Sequence, residues 1–323
     1  MTTPRVSVIV PVRDRAGLLA ETLRGLADQT YVDFEVVVID DGSKDASADV
    51  ARRARSGGLN LRLVQTDGVG SVAARCAGIA EAAGDVLAFT DSDCVPEPGW
   101  LAAGITAMDK GADVVQGHTI PARPAGPLER SITHDAGDGL FPTCNVFYTR
   151  AAYDRAGGFD RQAGTRLGFR TTSGRALGFG EDTLLGWRVA REGERGTAHE
   201  AVVRHAVLQP SIRELLWRAW LIGGFPELIR ECPELRGSDL YQAIFFGRRR
   251  LPLYTAIVLL AARQRLLAGV ATVGWAAGHG RRTLRLPGPM RRRIVAVPVE
   301  MAIDVFSIVA LIVGSIRARS IRR

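Results

Sequence analysis

Val86-Leu87-Ala88-Phe89-Thr90-Asp91-Ser92-Asp93 joins four apolar residues directly to a pair of acids, and that junction decides how the chain folds. An apolar run of this length with no polar interruption suits a strand covered on both faces. The acids then sit at its carboxyl end. Two upstream stretches repeat the arrangement. Val6-Ser7-Val8-Ile9-Val10-Pro11 is a β-branched run closed by a proline, and Phe34-Glu35-Val36-Val37-Val38-Ile39 runs into Asp40-Asp41-Gly42-Ser43, a turn and helix-cap composition. Between them Leu18, Leu19, Leu23 and Leu26 recur at the spacing of one helix face. A second helix is expected from about Ala46 to Arg55, a third strand from Leu61 to Gln65, and another helix opening at Gly68 to Ser71 and ending near Gly84. Strands alternating with helices of this length call for a Rossmann-like α/β domain, its mostly parallel central sheet flanked by helices through right-handed crossovers. Such sheets bind ligands at the carboxyl ends of their strands, where both acidic clusters fall.

Downstream of Trp100 the pattern loosens into a proline-rich stretch at Pro121 to Pro127 and a glycine-rich one from Gly157 to Gly180, of the kind that closes over substrate. Regular structure resumes with a helix starting at Glu181-Asp182. From about residue 211 the chain becomes helical, apolar and arginine-rich, which divides it into an α/β domain over 1–210 and a helical extension over 211–323. The formal net charge is +8, and residues 281 to 323 hold ten arginines against Glu300 and Asp304. Arginine beside apolar helix points to an anionic membrane surface. Without an aromatic-interleaved basic stripe, nucleic acid is not expected as a partner. Leu251 to Val273 is interrupted by Arg263-Gln264-Arg265, and Ile294 to Ile316 contains Pro298, Glu300 and Asp304, so neither is expected to be a clean span. Helices lying in the interface fit better, on the cytoplasmic side of the membrane, since no secretion signal opens the chain. Cys76, Cys94, Cys144 and Cys232 form no C-x-x-C pair, which leaves reduced, buried thiols.

The candidate chemistry follows from the strand ends. Asp91 and Asp93, two residues apart after a buried strand, suit a hard cation that keeps positions open for phosphate oxygens, hence Mn2+ or Mg2+ with a diphosphate. Asp40 and Asp41 suit a nucleobase imide or ribose hydroxyls, or else cap the following helix. Arg75, on the helix after the third strand, suits a phosphate or the base. Glu181 and Asp182 open a helix, where negative side chains are favoured, and displacement at a sugar carbon needs such a carboxylate to take the acceptor's proton. His205, after a β-branched run, is a candidate third metal ligand beside Asp91 and Asp93. Trp187 and Arg188, just beyond Asp182, are candidate acceptor contacts.

Taken together these stretches resemble the inverting family 2 glycosyltransferases of the GT-A fold. The matching pieces are Val6 to Pro11, Val38 to Ser43, Ala74-Arg75, Asp91 to Pro96 with Pro98-Gly99-Trp100-Leu101, Gly157-Gly158-Phe159-Asp160, and Gly180-Glu181-Asp182 with Gly186-Trp187-Arg188. The resemblance implies that Pro11, Arg13, Asp40, Asp41, Arg75, Asp91, Ser92 and Asp93 line a nucleotide-diphosphate sugar, with Asp41 on the base. It implies that Asp182 is the catalytic base with Glu181 in support, and that Asp91, Asp93 and His205 hold the metal. A lipid-linked or glycan acceptor and a membrane-associated tail also follow from it. Arg13 stands where the family commonly has an aromatic residue, and Cys76 where it has asparagine. The Q-x-x-R-W signature of processive synthases is absent, so transfer of a single sugar is expected. A nucleotidyltransferase would share sheet, metal and nucleotide, but its first loop is commonly glycine-rich, and here that loop is Pro11-Val12-Arg13-Asp14-Arg15. A non-catalytic nucleotide-sugar-binding membrane protein is the third alternative.

Overall fold

The computed structural model describes residues 3–167, 179–238, 244, 245, 247 and 250–320, so residues 168–178 of the glycine-rich approach to Glu181 lie outside it. The chain divides into two compact units, one of Met1–Ala122 with Ile132–Ala206, the other of Arg123–Ser131 with Val207–Arg323.

The first unit opens with β1 (Val6–Val12), α1 (Ala16–Ala27), β2 (Phe34–Asp41), α2 (Ser47–Ser56), β3 (Leu61–Thr66), α3 (Ser71–Glu81) and β4 (Val86–Phe89). It continues with β5 (Cys94–Pro96), α4 (Trp100–Met108), β6 (Val114–Pro121), β7 (Val146–Thr149), α5 (Arg150–Arg155), α6 (Ala163–Arg166), α7 (Glu181–Glu192) and β8 (Arg195–His205). The strands form a single eight-stranded sheet in the order β3-β2-β1-β4-β7-β6-β8-β5. The first four strands are all parallel, as their alternation with helices requires. Beyond β4 the sheet is mixed, because β7 runs antiparallel to both β4 and β6, and β5 antiparallel to β8. The loosened sequence after Trp100 therefore still contributes strands, β6, β7 and β8.

Core packing sets where the functional side chains emerge. Val8, Ile9, Val10, Val36, Val37 and Val38 are fully buried, which places the carboxyl ends of β1 and β2 side by side. The polar pair Ser7 and Glu35 within this core is satisfied in place. Ser7 donates to Glu35 (2.8 Å) and accepts from the backbone N–H of Gly84 (2.8 Å), and the same Glu35 oxygen accepts from Ala83 N–H (2.7 Å). A side chain at Gly78 would collide with Ile39, so glycine is what lets α3 lie close on the sheet and carries Arg75, nearly one turn earlier, to the rim. Gly186 plays the same part for α7, where any Cβ would strike the ring of Phe141.

The second unit is helical, with α8 (Ile212–Leu221), α9 (Phe225–Glu231), α10 (Leu251–Ala261), α11 (Arg265–Thr283) and α12 (Met290–Ser320). The interruption at Arg263-Gln264-Arg265 is a true helix break, with Arg263 in the left-handed region at φ 61°. Pro298, by contrast, does not end its helix, and α12 runs for 31 residues, about 46 Å at the α-helical rise. Among the described residues it is the one helix long and apolar enough to cross a membrane. The acids that argued against a span are paired within the unit. Glu300 accepts from Arg130 (2.7 Å), and Asp304 faces His279 (2.8 Å) and accepts from Arg250 (3.2 Å). Large apolar side chains nevertheless stay exposed, among them Leu266 (82%), Val273 (69%) and Val258 (66%).

Candidate active site

The sheet rim collects most of the residues singled out above. Pro11 lies opposite Ile39 near the end of β1, and Asp40 and Asp41 close β2. Asp40 accepts from the backbone N–H of Ser43 (3.0 Å), so it caps the turn. Asp41 is nearly buried and accepts from the Thr66 hydroxyl (2.7 Å) and the backbone N–H groups of Val69 (2.7 Å) and Gly70 (2.9 Å). Burial pushes its carboxyl up, but Thr66, Gly70, Val69 and the guanidinium of Arg13 outweigh that and hold it below the usual range. Arg13 lies across Gly68 with Nη1 3.9 Å from Asp41.

Past β4, Asp91 accepts from Arg75 (2.7 Å), Ser92 is buried, and Asp93 turns to a different set of partners. Asp93 Oδ2 is in contact with the Arg15 guanidinium and lies 3.7 Å from His205 Nε2. Strand pairing creates the second approach, since Cys94 on β5 stands opposite His205 on β8 and Ala206 N–H donates to the carbonyl of Asp93 (2.8 Å). His205 Nδ1 is 2.7 Å from the carbonyl of Ala206, which can only accept, so Nδ1 carries the proton. In the neutral ring Nε2 then holds the lone pair, the tautomer a metal ligand needs.

Asp93, Cys94 and His205 bring their ligand atoms within 4.8 Å of one another. The carboxylate and imidazole suit Mn2+ or Mg2+. The Cys94 thiol does not, because its hydrogen bond with Cys144 and its burial push it well above the usual range, so it stays protonated. Asp91 was expected beside Asp93 as a ligand but stands outside this group, with one oxygen held by Arg75.

Arg75 reaches further. It is buried, and its other terminal nitrogen lies 4.0 Å from Glu181 at the start of α7. One guanidinium thus faces both the rim acids and the Glu181-Asp182 pair. Among the described residues Glu181 Oε2 is buried without a hydrogen-bond partner. Burial, followed by the charge of Asp182, pushes the Glu181 carboxyl up to about 7. Burial also raises Asp182, although it accepts from the backbone N–H of Thr183 (2.8 Å).

Trp187 and Arg188, the candidate acceptor contacts, hydrogen-bond to neighbouring backbone. Trp187 donates to the carbonyl of Gly139 (2.9 Å) with its ring edge-to-face on Phe141, and Arg188 donates to the carbonyls of Ala156 (2.9 Å) and Gly158 (2.6 Å). They fasten α7 to its neighbouring turns. Arg15 is a further residue at this site, beyond those the sequence pattern points to. Its signal was a second arginine two places after Arg13 in a loop that ends a buried strand.

Comparison with known proteins agrees with this geometry. The model of the family "Glycosyl transferase family 2" matches residues 7–170. Glycosyltransferase AglE of Haloferax volcanii is 38% identical over 129 residues, 39% of this chain and 42% of that protein. The match therefore spans less than half of that relative's length. The mannosyltransferase PcManGT of Pyrobaculum calidifontis, solved with GDP-Man and Mn2+, superposes with a TM-score of 0.59 at 22% identity, covering 95% of this chain and 88% of that one. S. aureus TarS 1–349, solved with UDP-GlcNAc, gives 0.53 at 17% identity, covering 98% and 92%. At such identities the likeness is one of fold, the GT-A fold, while the family model spans half of the chain and takes in the rim from β1 to Asp93 and on through β7. The chain belongs to glycosyl transferase family 2.

Proposed function

We propose that the protein transfers a single sugar from a nucleotide-diphosphate sugar to an acceptor hydroxyl with inversion at the anomeric carbon, assisted by Mn2+ or Mg2+. The observation that carries this reading is the reach of Arg75, which brings Asp91 of the rim and Glu181 beside Asp182 onto one guanidinium from stretches 90 residues apart in the chain. The rim then takes the nucleotide and its diphosphate, and the acid pair faces the reacting carbon.

Asp93 and His205 would hold the cation. When bound it would draw charge off the departing nucleoside diphosphate. Asp182 acts as general base. It takes the proton of the acceptor hydroxyl as that oxygen attacks the anomeric carbon from the side opposite the leaving group, so one bond forms as the other breaks and configuration inverts. A raised carboxyl suits this task, because a base whose proton affinity lies nearer the working pH accepts the proton more strongly. Glu181 and Arg75 set its electrostatic surroundings.

The donors bound by the solved neighbours, GDP-Man and UDP-GlcNAc, support a nucleotide-diphosphate sugar as the donor class. The exposed apolar side chains and arginines of the helical unit support a membrane setting, and a cytoplasmic site with a lipid-linked or glycan acceptor is the remainder of the proposal.

Asp182→Asn tests the central assignment. Binding of the productive donor, measured by calorimetry, is expected to stay within about twofold of the parent, while transfer falls by about 10²- to 10⁴-fold, the usual contribution of a general base. Transfer at the parental rate would remove Asp182 from the mechanism.

A further inference from the structure

Three of the rim carboxylates, Asp41, Asp91 and Asp93, each face a different arginine. Arg13 Nη1 lies 3.9 Å from Asp41, Arg75 donates to Asp91 at 2.7 Å, and Arg15 is in contact with Asp93. The third pair differs from the others, because Arg15 contacts Oδ2 of Asp93, the same oxygen that faces His205 Nε2 at 3.7 Å. A guanidinium and a divalent cation bound between Asp93 and His205 would compete for that oxygen.

The backbone beneath Arg15 is held firmly. Asp14, at φ 51°, receives a hydrogen bond from Lys44 N–H (2.7 Å) and gives its own N–H to Ser43 (3.0 Å). Arg15 N–H donates to Ser47 (3.2 Å) and Ala16 N–H to Asp45 (2.8 Å). These contacts tie the loop after β1 to the loop after β2 and fix where the arginine starts. Its side chain is 38% exposed, against 6% for that of Asp93, so the arginine is the partner able to turn away.

We propose that Arg15 is a binding residue for the donor diphosphate which the unloaded protein keeps on the metal carboxylate. The inference rests on the donor and metal class proposed above. When cation and donor load together, the cation replaces the guanidinium on Asp93, and the freed guanidinium receives a diphosphate oxygen beside it. Charge favours joint loading. The cation brings two positive charges and the diphosphate of a nucleotide sugar two negative ones, so the pair enters the rim without changing its net charge. A cation alone meets Arg15, and a diphosphate alone meets Asp91 and Asp93.

The test measures two affinities of opposite expected sign. Mn2+ binding without nucleotide is followed by the electron paramagnetic resonance signal of free Mn2+, and binding of UDP and of GDP at saturating Mn2+ by calorimetry. Arg15→Gln removes the competing cation and the phosphate partner together. It is expected to bind Mn2+ on the order of fivefold more tightly and the nucleoside diphosphate on the order of fivefold more weakly, the scale of one partly exposed ion pair. Arg15→Lys keeps the charge and should fall between Arg15→Gln and the parent in both measurements. Matching thermal midpoints for the three proteins show that the fold is intact. Two affinities that move in the same direction, or an Arg15→Gln protein that binds like the parent, overturn the inference while the proposed function stands. A parent protein that takes up neither Mn2+ nor either nucleotide overturns both.

Discussion

Replacing Glu181 by glutamine isolates the electrostatics of the acid pair without disturbing its shape. Glu181 is 6% exposed, and its carboxyl is raised from 4.5 to about 7 by burial and by Asp182. The native state therefore keeps a proton that the unfolded chain has lost over much of the interval between those values. Stability falls as pH climbs wherever the native state binds more protons, so the contribution is complete below 4.5 and is lost as pH rises through 7. The interval corresponds to at most about 3 kcal/mol, shared with the neighbouring Asp182. Glutamine cannot ionise and escapes that loss. Glu181→Gln should match the parent at pH 5 to within about 1 kcal/mol and exceed it at pH 8 by up to about 3 kcal/mol. Urea unfolding at several pH values, followed by tryptophan fluorescence, reads this difference, since Trp100 and Trp187 lie in the same unit as Glu181. A stability difference independent of pH, or a variant weaker than the parent at pH 8, would refute this account of the acid pair.

Other outcomes are expected elsewhere in the molecule. His205→Ala should weaken Mn2+ binding at least tenfold, because it removes the imidazole that faces Asp93; titration with Mn2+ checks this. Gly78→Ala should destabilise the fold by about 1 to 3 kcal/mol through its collision with Ile39, measured by chemical denaturation. Leu266→Glu combined with Val270→Glu, at positions 82% and 64% exposed, should reduce co-sedimentation with anionic vesicles several-fold while leaving the melting midpoint unchanged. Undiminished sedimentation would mean that this face does not meet lipid.

The sequence by itself determined the first half of the sheet and the placement of acids at its rim. Fully buried parallel strands must be continuous apolar runs, and a polar cluster that ends such a run has nowhere to lie but the strand's carboxyl end. That logic located Asp40, Asp41, Asp91 and Asp93 from local pattern alone. It also located the break at Arg263, where charge interrupts an apolar helix. Pro298 reads in sequence as an interruption of a possible span, yet α12 continues through it, and the charges of Glu300 and Asp304 are matched by Arg130, His279 and Arg250 from outside that helix.

Only the tertiary structure decided which acid serves which partner. The register of β5 against β8 sets Cys94 opposite His205 and so puts Asp93, rather than Asp91, beside the imidazole. The close seat of α3 at Gly78 brings Arg75 to the rim, where it also faces Glu181, and the tied loop after β1 turns Arg15 onto Asp93. Each of these contacts joins residues dozens of positions apart. Local periodicity fixes which way a side chain leaves its own strand or helix, whereas a pairing between elements depends on how the whole sheet and its helices pack, and no short window of residues contains that.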